Sequence, residues 1–331
     1  MICIDDSKIN EGEVEIIVPF GKREITHVIH DIDGTHSLIR DWRPVMSVCM
    51  YWAMTCGLKE DFDSEENVQQ LISRVGKESL EETDRYCIEC AGFSAITQME
   101  FAIRRAIEEG RIPDEVELNL TAKEKANNSA IIQRVWKGEE IFDDVREPEK
   151  LIEFLSKMAP RLFKLYEKVL NGACRDRNVK DARKNPEKWR VSGSLEFLTY
   201  LNTIGCVNYF VTGAVIYHEG GMFEEVKVLG YKIGPGKIIR SLKGSSWNKK
   251  MPKNEVMEKL FSDDGIDPHK TLIIGDGRTE IKAGVNLGSI TISRLAETEK
   301  RQREIHINLG TNLIIKDYLD PSLKEMIYRT D

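Results

Sequence analysis

From residue 192 onward the sequence alternates between two kinds of segment. "SGSLEFLTYLNTIG" has helical spacing and ends on Gly205, and "CVNYFVTGA" is a short apolar run. "PKNEVMEKLFSDDG" returns to helical spacing behind a proline, "KTLIIGDG" is apolar again, "TEIKAGVNLG" is helical, and "SITISRL" is apolar. "TNLIIKDYLDPSLKEMI" closes the series with a strand and a helix. Short, continuously apolar strands separated by helices predict a parallel sheet, because each crossover returns the chain over a face of the sheet and buries it. The expected class is α/β.

The first strand of that sheet is expected far upstream, in "HVIHD". Before it, "EVEIIVPFGKREITHVIHD" shows two β-rich runs around the turn-like "PFGKR", which predicts a strand pair or hairpin. From Pro44 to about Gly172 the pattern is helical: "SEENVQQLISRVG", "SAITQMEFAIRRAIEEG", "TAKEKANNSAIIQRVWKG" and "EPEKLIEFLSKMAPRLFKLYEKVLNG" space their apolar residues for helices. Several open on Ser, Thr or Glu-Pro and close on Gly, as capped helices do. An all-helical block is therefore inserted between the first strand and the rest of an α/β core.

A net charge of -7 argues against a general nucleic-acid binder, which would carry a basic face. The start "MICIDDSKINEGEVEI" lacks a basic segment followed by an apolar one, so no signal peptide is expected and the protein is placed in the cytoplasm. The charge-free run Pro44 to Leu58 is 15 residues, short of the roughly 20 that span a bilayer. It is read as a buried helix, with no membrane partner. The 7 cysteines are odd in number and scattered, which fits reduced thiols; Cys87 and Cys90 form a CxxC inside a helical pattern without a second pair, and are read as structural. Trp136, Trp189 and Trp247 are read as packing residues, and His27 and His30 as satisfied structural ones.

In a parallel sheet, ligands bind at the carboxyl ends of the strands. The first strand delivers Asp31 and Asp33 to that edge, the next Thr212 and Gly213, the next Gly275, Asp276 and Glu280. A loop with Lys249, Lys250 and Lys253 precedes the last of these strands. Carboxylates gathered in one place repel one another unless a cation sits among them, and an all-oxygen set suits Mg2+. An aspartate can also act as a nucleophile toward phosphorus, with a second carboxyl two residues on as proton donor.

"HVIHDIDGT", "YFVTGA", the lysine before a helix and "LIIGDGRTE" together resemble the four motifs of the haloacid-dehalogenase-like hydrolase superfamily. The resemblance covers roughly residues 25–38 and 187–318. It implies a Rossmann-like core, 1–38 with 187–331, in which 1–24 is an N-terminal extension, and a large helical cap, 39–186, inserted after the first core strand. Only 39 residues separate Gly213 from Lys253, too few for a second cap domain. By the resemblance, Asp31 is the nucleophile and a metal ligand. Asp33 is the acid/base, and its backbone carbonyl binds the metal. Thr212 holds the phosphoryl oxygens, Asp276 is a metal ligand, and Glu280 is a second acid at the metal. Lys253, 23 residues before Asp276, fits the family spacing of the phosphate-binding lysine, with Lys250 and Lys249 as alternatives. Gly34, Thr35 and Gly213 complete the expected substrate-binding set, and the unusual continuation "DGTHSLIRD" adds His36, Ser37 and Arg40 as residues facing the substrate. Dehalogenases of the superfamily lack the second aspartate, so Asp33 points to phosphoryl chemistry.

The expected activity is Mg2+-dependent hydrolysis of a small phosphorylated metabolite, in a monomer or homodimer. A sugar-phosphate phosphomutase uses the same residues and is the nearest alternative. A non-catalytic protein that binds partners through the helical insert is the alternative from another class.

Overall fold

The structure is a computed structural model that describes residues 1–10, 12–113, 116–217, 220–245 and 251–330. It forms two compact units, Met1–Arg40 with Asn178–Asp331, and Asp41–Arg177. Along the chain the strands β1 (Ile2–Asp5), β2 (Glu15–Ile16), β3 (Lys22–Glu24) and β4 (His27–His30) come first. The helices α1 (Trp42–Cys56), α2 (Glu65–Arg74), α3 (Glu81–Glu89), α4 (Ala95–Glu108), α5 (Ala122–Trp136) and α6 (Glu149–Leu170) follow. One π-helical turn, Asn171–Arg175, leads into α7 (Asp176–Ala182). Then come α8 (Ser194–Ile204), β5 (Val207–Val215), α9 (Gly221–Val228), β6 (Ile239–Ser245), α10 (Lys253–Asp264), β7 (Thr271–Gly275) and α11 (Arg278–Asn286). The chain ends with β8 (Ile290–Arg294), α12 (Lys300–Leu309), β9 (Leu313–Ile315), α13 (Ser322–Glu325) and β10 (Ile327–Arg329).

The α/β unit is built on a seven-stranded sheet of order β2-β9-β8-β7-β4-β5-β6. Every neighbouring pair is parallel except β2 with β9. Both faces are buried, and the period-2 alternation of the strands divides their side chains between them. Val28, Leu272 and Ile274 pack with Phe197 and Leu201 of α8. Ile29, Val211 and Ile273 pack with Val256, Met257 and Leu260 of α10. The central strands are therefore mostly buried along their length, polar residues such as His30, Asn208, Thr291 and Ser293 included.

The opening segment departs from the expected hairpin. β2 pairs with β9 at the edge of the large sheet, while β3 pairs with β1 in a separate antiparallel sheet of order β10-β1-β3. The "PFGKR" turn separates two sheets rather than joining two partners, because each run finds a longer-range edge to complete. Residues 178–186, grouped from the sequence with the helical insert, lie in the α/β unit: Val179 and Ala182 are buried in a cluster with Ile39, Phe210 and Tyr231. β1, β6, α9 and β10 are elements the pattern reading did not identify.

The helical unit forms as its caps suggest. Ser64 and Ser94 accept the N–H groups of Asn67 and Thr97, and Thr121 with Glu124 forms a capping box at the start of α5. The charge-free run Pro44–Leu58 is mostly α1, whose Val45, Met46, Cys49, Met50 and Ala53 are buried. Tyr86 stacks on Phe101 with ring centroids 4.0 Å apart, and Trp136 meets both edge-on, so Trp136 is a packing residue. Cys87 and Cys90 are buried and not disulfide-bonded. Among the described residues, no helix is long and apolar enough to cross a membrane.

Candidate active site

The register of the sheet decides which side chains meet. His30 lies opposite Phe210 of β5 on one side and Ile274 of β7 on the other. β4 is central, so Asp31, one residue past its end, falls level with Val211 and Gly275. The Asp31 N–H donates to the Ile274 carbonyl at 2.8 Å and continues the ladder by one residue. Thr212, inside β5, and Asp276, directly after β7, follow on the two flanking strands. Three chain segments more than 60 residues apart are thus brought to one edge by parallel pairing alone.

At that edge Asp31, Asp276 and Glu280 are buried, and one carboxylate oxygen from each lies within 4.8 Å of the others. Lys253, the first residue of α10, is 1% exposed and reaches into the group. Its ammonium donates to Asp31 Oδ1 and lies 2.9 Å from Glu280 Oε2. Burial works against the Lys253 charge, but the Asp31 and Glu280 carboxylates outweigh it and hold its pKa above the ordinary lysine value. Glu280 is held in turn by α11: its Oε1 accepts the Gly277 N–H at 2.7 Å. Burial raises the Glu280 pKa, and Lys253 opposes the shift.

Asp33 differs from Asp31. Its Oδ1 is sealed from solvent without a hydrogen-bond partner, and burial raises its pKa to about 7, against the pull of the Arg40 guanidinium. Two carboxyls two residues apart therefore stand in different environments, one ion-paired to a lysine and one held ready to carry a proton. Thr212 is buried, and its Oγ1 accepts the Ala214 N–H at 3.1 Å, while Gly213 is partly exposed. Thr35 is fully buried with its hydroxyl 3.4 and 3.5 Å from Asp31 Oδ2 and Asp276 Oδ1, distances of weak contact.

Gly34 makes the turn between these groups possible. Its φ is +79°, and a Cβ there would stand 2.3 Å from Asp276 Oδ2, so only glycine allows the loop to lie against that carboxylate.

Three expectations, for His36, Arg40 and Ser37, are corrected by the geometry. His36 does not face an open site: it is completely buried, stacks on Tyr318 at 5.0 Å, and hydrogen-bonds Ser194 Oγ at 2.7 Å and His30 at 3.0 Å. Burial drives its pKa well below the ordinary value and holds His30 down at about 3, so both rings are neutral packing groups. Arg40 forms a two-point ion pair with Glu225, both contacts at 2.8 Å, and Glu225 is fully buried, so the arginine is tied to α9. Ser37 is likewise buried, with its Oγ accepting the Ile39 N–H. Trp189 packs in the apolar cluster and donates to Asp181 at 3.0 Å. Lys249, Lys250 and Trp247 lie outside the described residues.

Motif reading missed the side chains that hold the loop after β4. Three successive carbonyls are captured from remote elements: Gly34 by Arg294, Thr35 by Tyr318, and His36 by Tyr231. None of the three has a motif of its own, and only their contacts reveal them.

No family model matches the chain, and no curated protein matches it. Solved structures do. A hydrolase from Pseudomonas syringae is 14% identical, covers 89% of this chain and 95% of its own, and has a TM-score of 0.45. A beta-phosphoglucomutase from Clostridium difficile is 12% identical, with 91% and 97% covered and a TM-score of 0.44. A HAD family hydrolase from Deinococcus radiodurans, with bound phosphate and sodium, is 11% identical, with 89% and 92% covered and a TM-score of 0.38.

Proposed function

We propose that this chain is a Mg2+-dependent phosphomonoester hydrolase that acts on a small organic phosphate through an aspartyl-phosphate at Asp31. The observation that supports this best is Lys253, buried and paired to Asp31 and Glu280 with Asp276 beside them. Such a group has a nucleophile, a fixed cation and a carboxylate set at one point, as phosphoryl transfer requires.

The donor chemistry fits Mg2+: three buried carboxylates, all hard oxygen ligands, with Lys253 set against Asp31 and Glu280. Asp31, Asp276 and Glu280 would hold the ion, with the Asp33 backbone carbonyl as the resemblance implies. When bound, it would neutralise charge on the phosphoryl oxygens.

The residues then divide the work. An Asp31 oxygen attacks phosphorus as the bond to the leaving oxygen breaks. Asp33, protonated at its raised pKa, gives its proton to that oxygen. Asp33 next takes a proton from water as the water oxygen attacks phosphorus, the Asp31–phosphorus bond breaks, and inorganic phosphate is released. Lys253 and the Thr212 hydroxyl hold the phosphoryl oxygens throughout.

The test is a panel of sugar phosphates, phosphoglycolate, nucleotides and simple alkyl phosphates, assayed for phosphate release with Mg2+ and with EDTA. Metal-dependent release from at least one ester is expected. Slow release that requires a bisphosphate activator would replace hydrolysis with a phosphomutase reaction. No turnover on any member, with metal bound, would overturn the enzymatic reading in favour of a binding protein.

A further inference from the structure

The loop that carries Asp33 is pinned by a residue outside every motif. Arg294 ends β8, and its guanidinium bridges two carbonyls: Nη1 donates to Gly34 at 2.7 Å and Nε to Lys316 at 2.9 Å. Lys316 directly follows β9, so the arginine ties the loop after β4 to the end of a strand two places beyond β7.

The tie matters because of where it falls. Gly34 has a positive φ and no side chain, so sterics alone do not fix the orientation of the peptide that follows it. Its N–H is held by the Ser37 carbonyl at 2.9 Å, which secures the peptide on the Asp33 side. Its carbonyl is held by Arg294, which secures the other. With both peptides fixed, Gly34 rests against Asp276, at a distance no Cβ would permit. Tyr318 repeats the arrangement one residue on, donating to the Thr35 carbonyl at 3.1 Å. A charged, two-point donor is the strongest of these anchors, because a guanidinium bond to a carbonyl exceeds a neutral one in strength.

We propose that Arg294 is a positioning residue for the acid/base Asp33: it fixes the Asp33–Gly34 turn, so that the Asp33 carboxyl keeps the place from which it delivers its proton. This rests on the phosphatase reading above. Its Nη1 and Nε are committed to backbone carbonyls, and its effect on turnover passes through the loop.

Proton delivery matters only for a leaving group that needs a proton, and this separates positioning from general weakening of the fold. Arg294→Gln and Arg294→Lys are to be compared with the unaltered chain on p-nitrophenyl phosphate, whose leaving group departs as the anion, and on an alkyl phosphate ester. Asp33 also activates the water in the second half-reaction, which both substrates share, so the readout is the pre-steady-state rate of Asp31 phosphorylation. Arg294→Gln should lower that rate at least tenfold on the alkyl ester and change it by less than threefold on p-nitrophenyl phosphate. Arg294→Lys, which reaches one carbonyl at most, should recover part of the alkyl-ester loss. Thermal melts would confirm that all three proteins are folded at the assay temperature. Equal losses on both substrates, or no loss on either, would overturn the proposal. Absence of turnover in the unaltered chain would instead overturn the phosphatase reading.

Discussion

Lys253 neutralises part of a buried acidic group, and its removal has a predictable cost. Lys253→Met leaves Asp31 and Glu280 facing each other without their cation. Urea unfolding in EDTA should show a loss of about 3–5 kcal/mol, the range for a buried pair deprived of one partner. Mg2+ should restore part of it by supplying positive charge at the same oxygens. Gly34→Ala tests the close approach to Asp276. It combines a left-handed residue, worth roughly 1–2 kcal/mol, with a Cβ placed 2.3 Å from a carboxylate oxygen. The protein should fold, lose about 2 kcal/mol or more, and drop at least tenfold in turnover. Asp33 provides a pH signature. Its folded pKa, about 7, exceeds the ordinary 3.8, so the native carboxyl stays protonated while the unfolded one ionises. Native stability from this group is therefore intact below about pH 4, falls as pH rises toward 7, and is flat above that. In EDTA, Asp33→Asn should match the unaltered chain at pH 4 and exceed it by on the order of 1–3 kcal/mol at pH 8, a gain read from paired urea titrations. A constant difference at all pH values would contradict the assigned environment. The acidic residues were legible because each stands in a motif at a strand end. Arg294, Tyr231 and Tyr318 were not, because a lone arginine or tyrosine acquires its role only from the carbonyl it meets.

At the scale of elements, the sequence pattern was most informative where hydrophobic periodicity was complete. β7 and β9 are nearly continuous apolar runs, and β4, β5 and β8 are mostly buried with polar residues among their apolar ones, because both faces are covered; all five strands match the pattern. β6 carries Arg240 and Lys243 on an edge strand, so its pattern is broken by solvent and it was missed. β1 and β10 are 4 and 3 residues long and pair across nearly the whole chain, a match no local window contains. β2 and β3 show the converse error: two local β signals suggested each other as partners, whereas each completes a different sheet. α9 owes part of its anchoring to one ion pair, between Glu225 and Arg40. Arg40→Ala leaves Glu225 buried without its partner and should cost about 3–5 kcal/mol in urea unfolding. Arg40→Met with Glu225→Leu should recover most of that loss, because an apolar pair replaces a desolvated charged one. Failure of the double variant to recover would mean that the pair sets the loop geometry rather than merely satisfying charge.

For the molecule as a whole, parallel pairing converts a linear order of motifs into a single acidic edge with a lysine inside it. The helical unit Asp41–Arg177 interrupts the chain after the first motif without disturbing this arrangement, because β4 is joined to its neighbours by register and not by adjacency in sequence. Substrate identity was not legible, since the residues at the strand ends carry chemistry that every phosphate ester shares. The central claim is that Asp31 becomes phosphorylated. The direct measurement is an acid quench during turnover, borohydride reduction of the trapped acyl-phosphate, and peptide mass spectrometry. Homoserine is expected at position 31, dependent on substrate and Mg2+ and absent from Asp31→Asn, which should not turn over. Steady phosphate release with Asp31 unmodified, or undiminished turnover in Asp31→Asn, would contradict it.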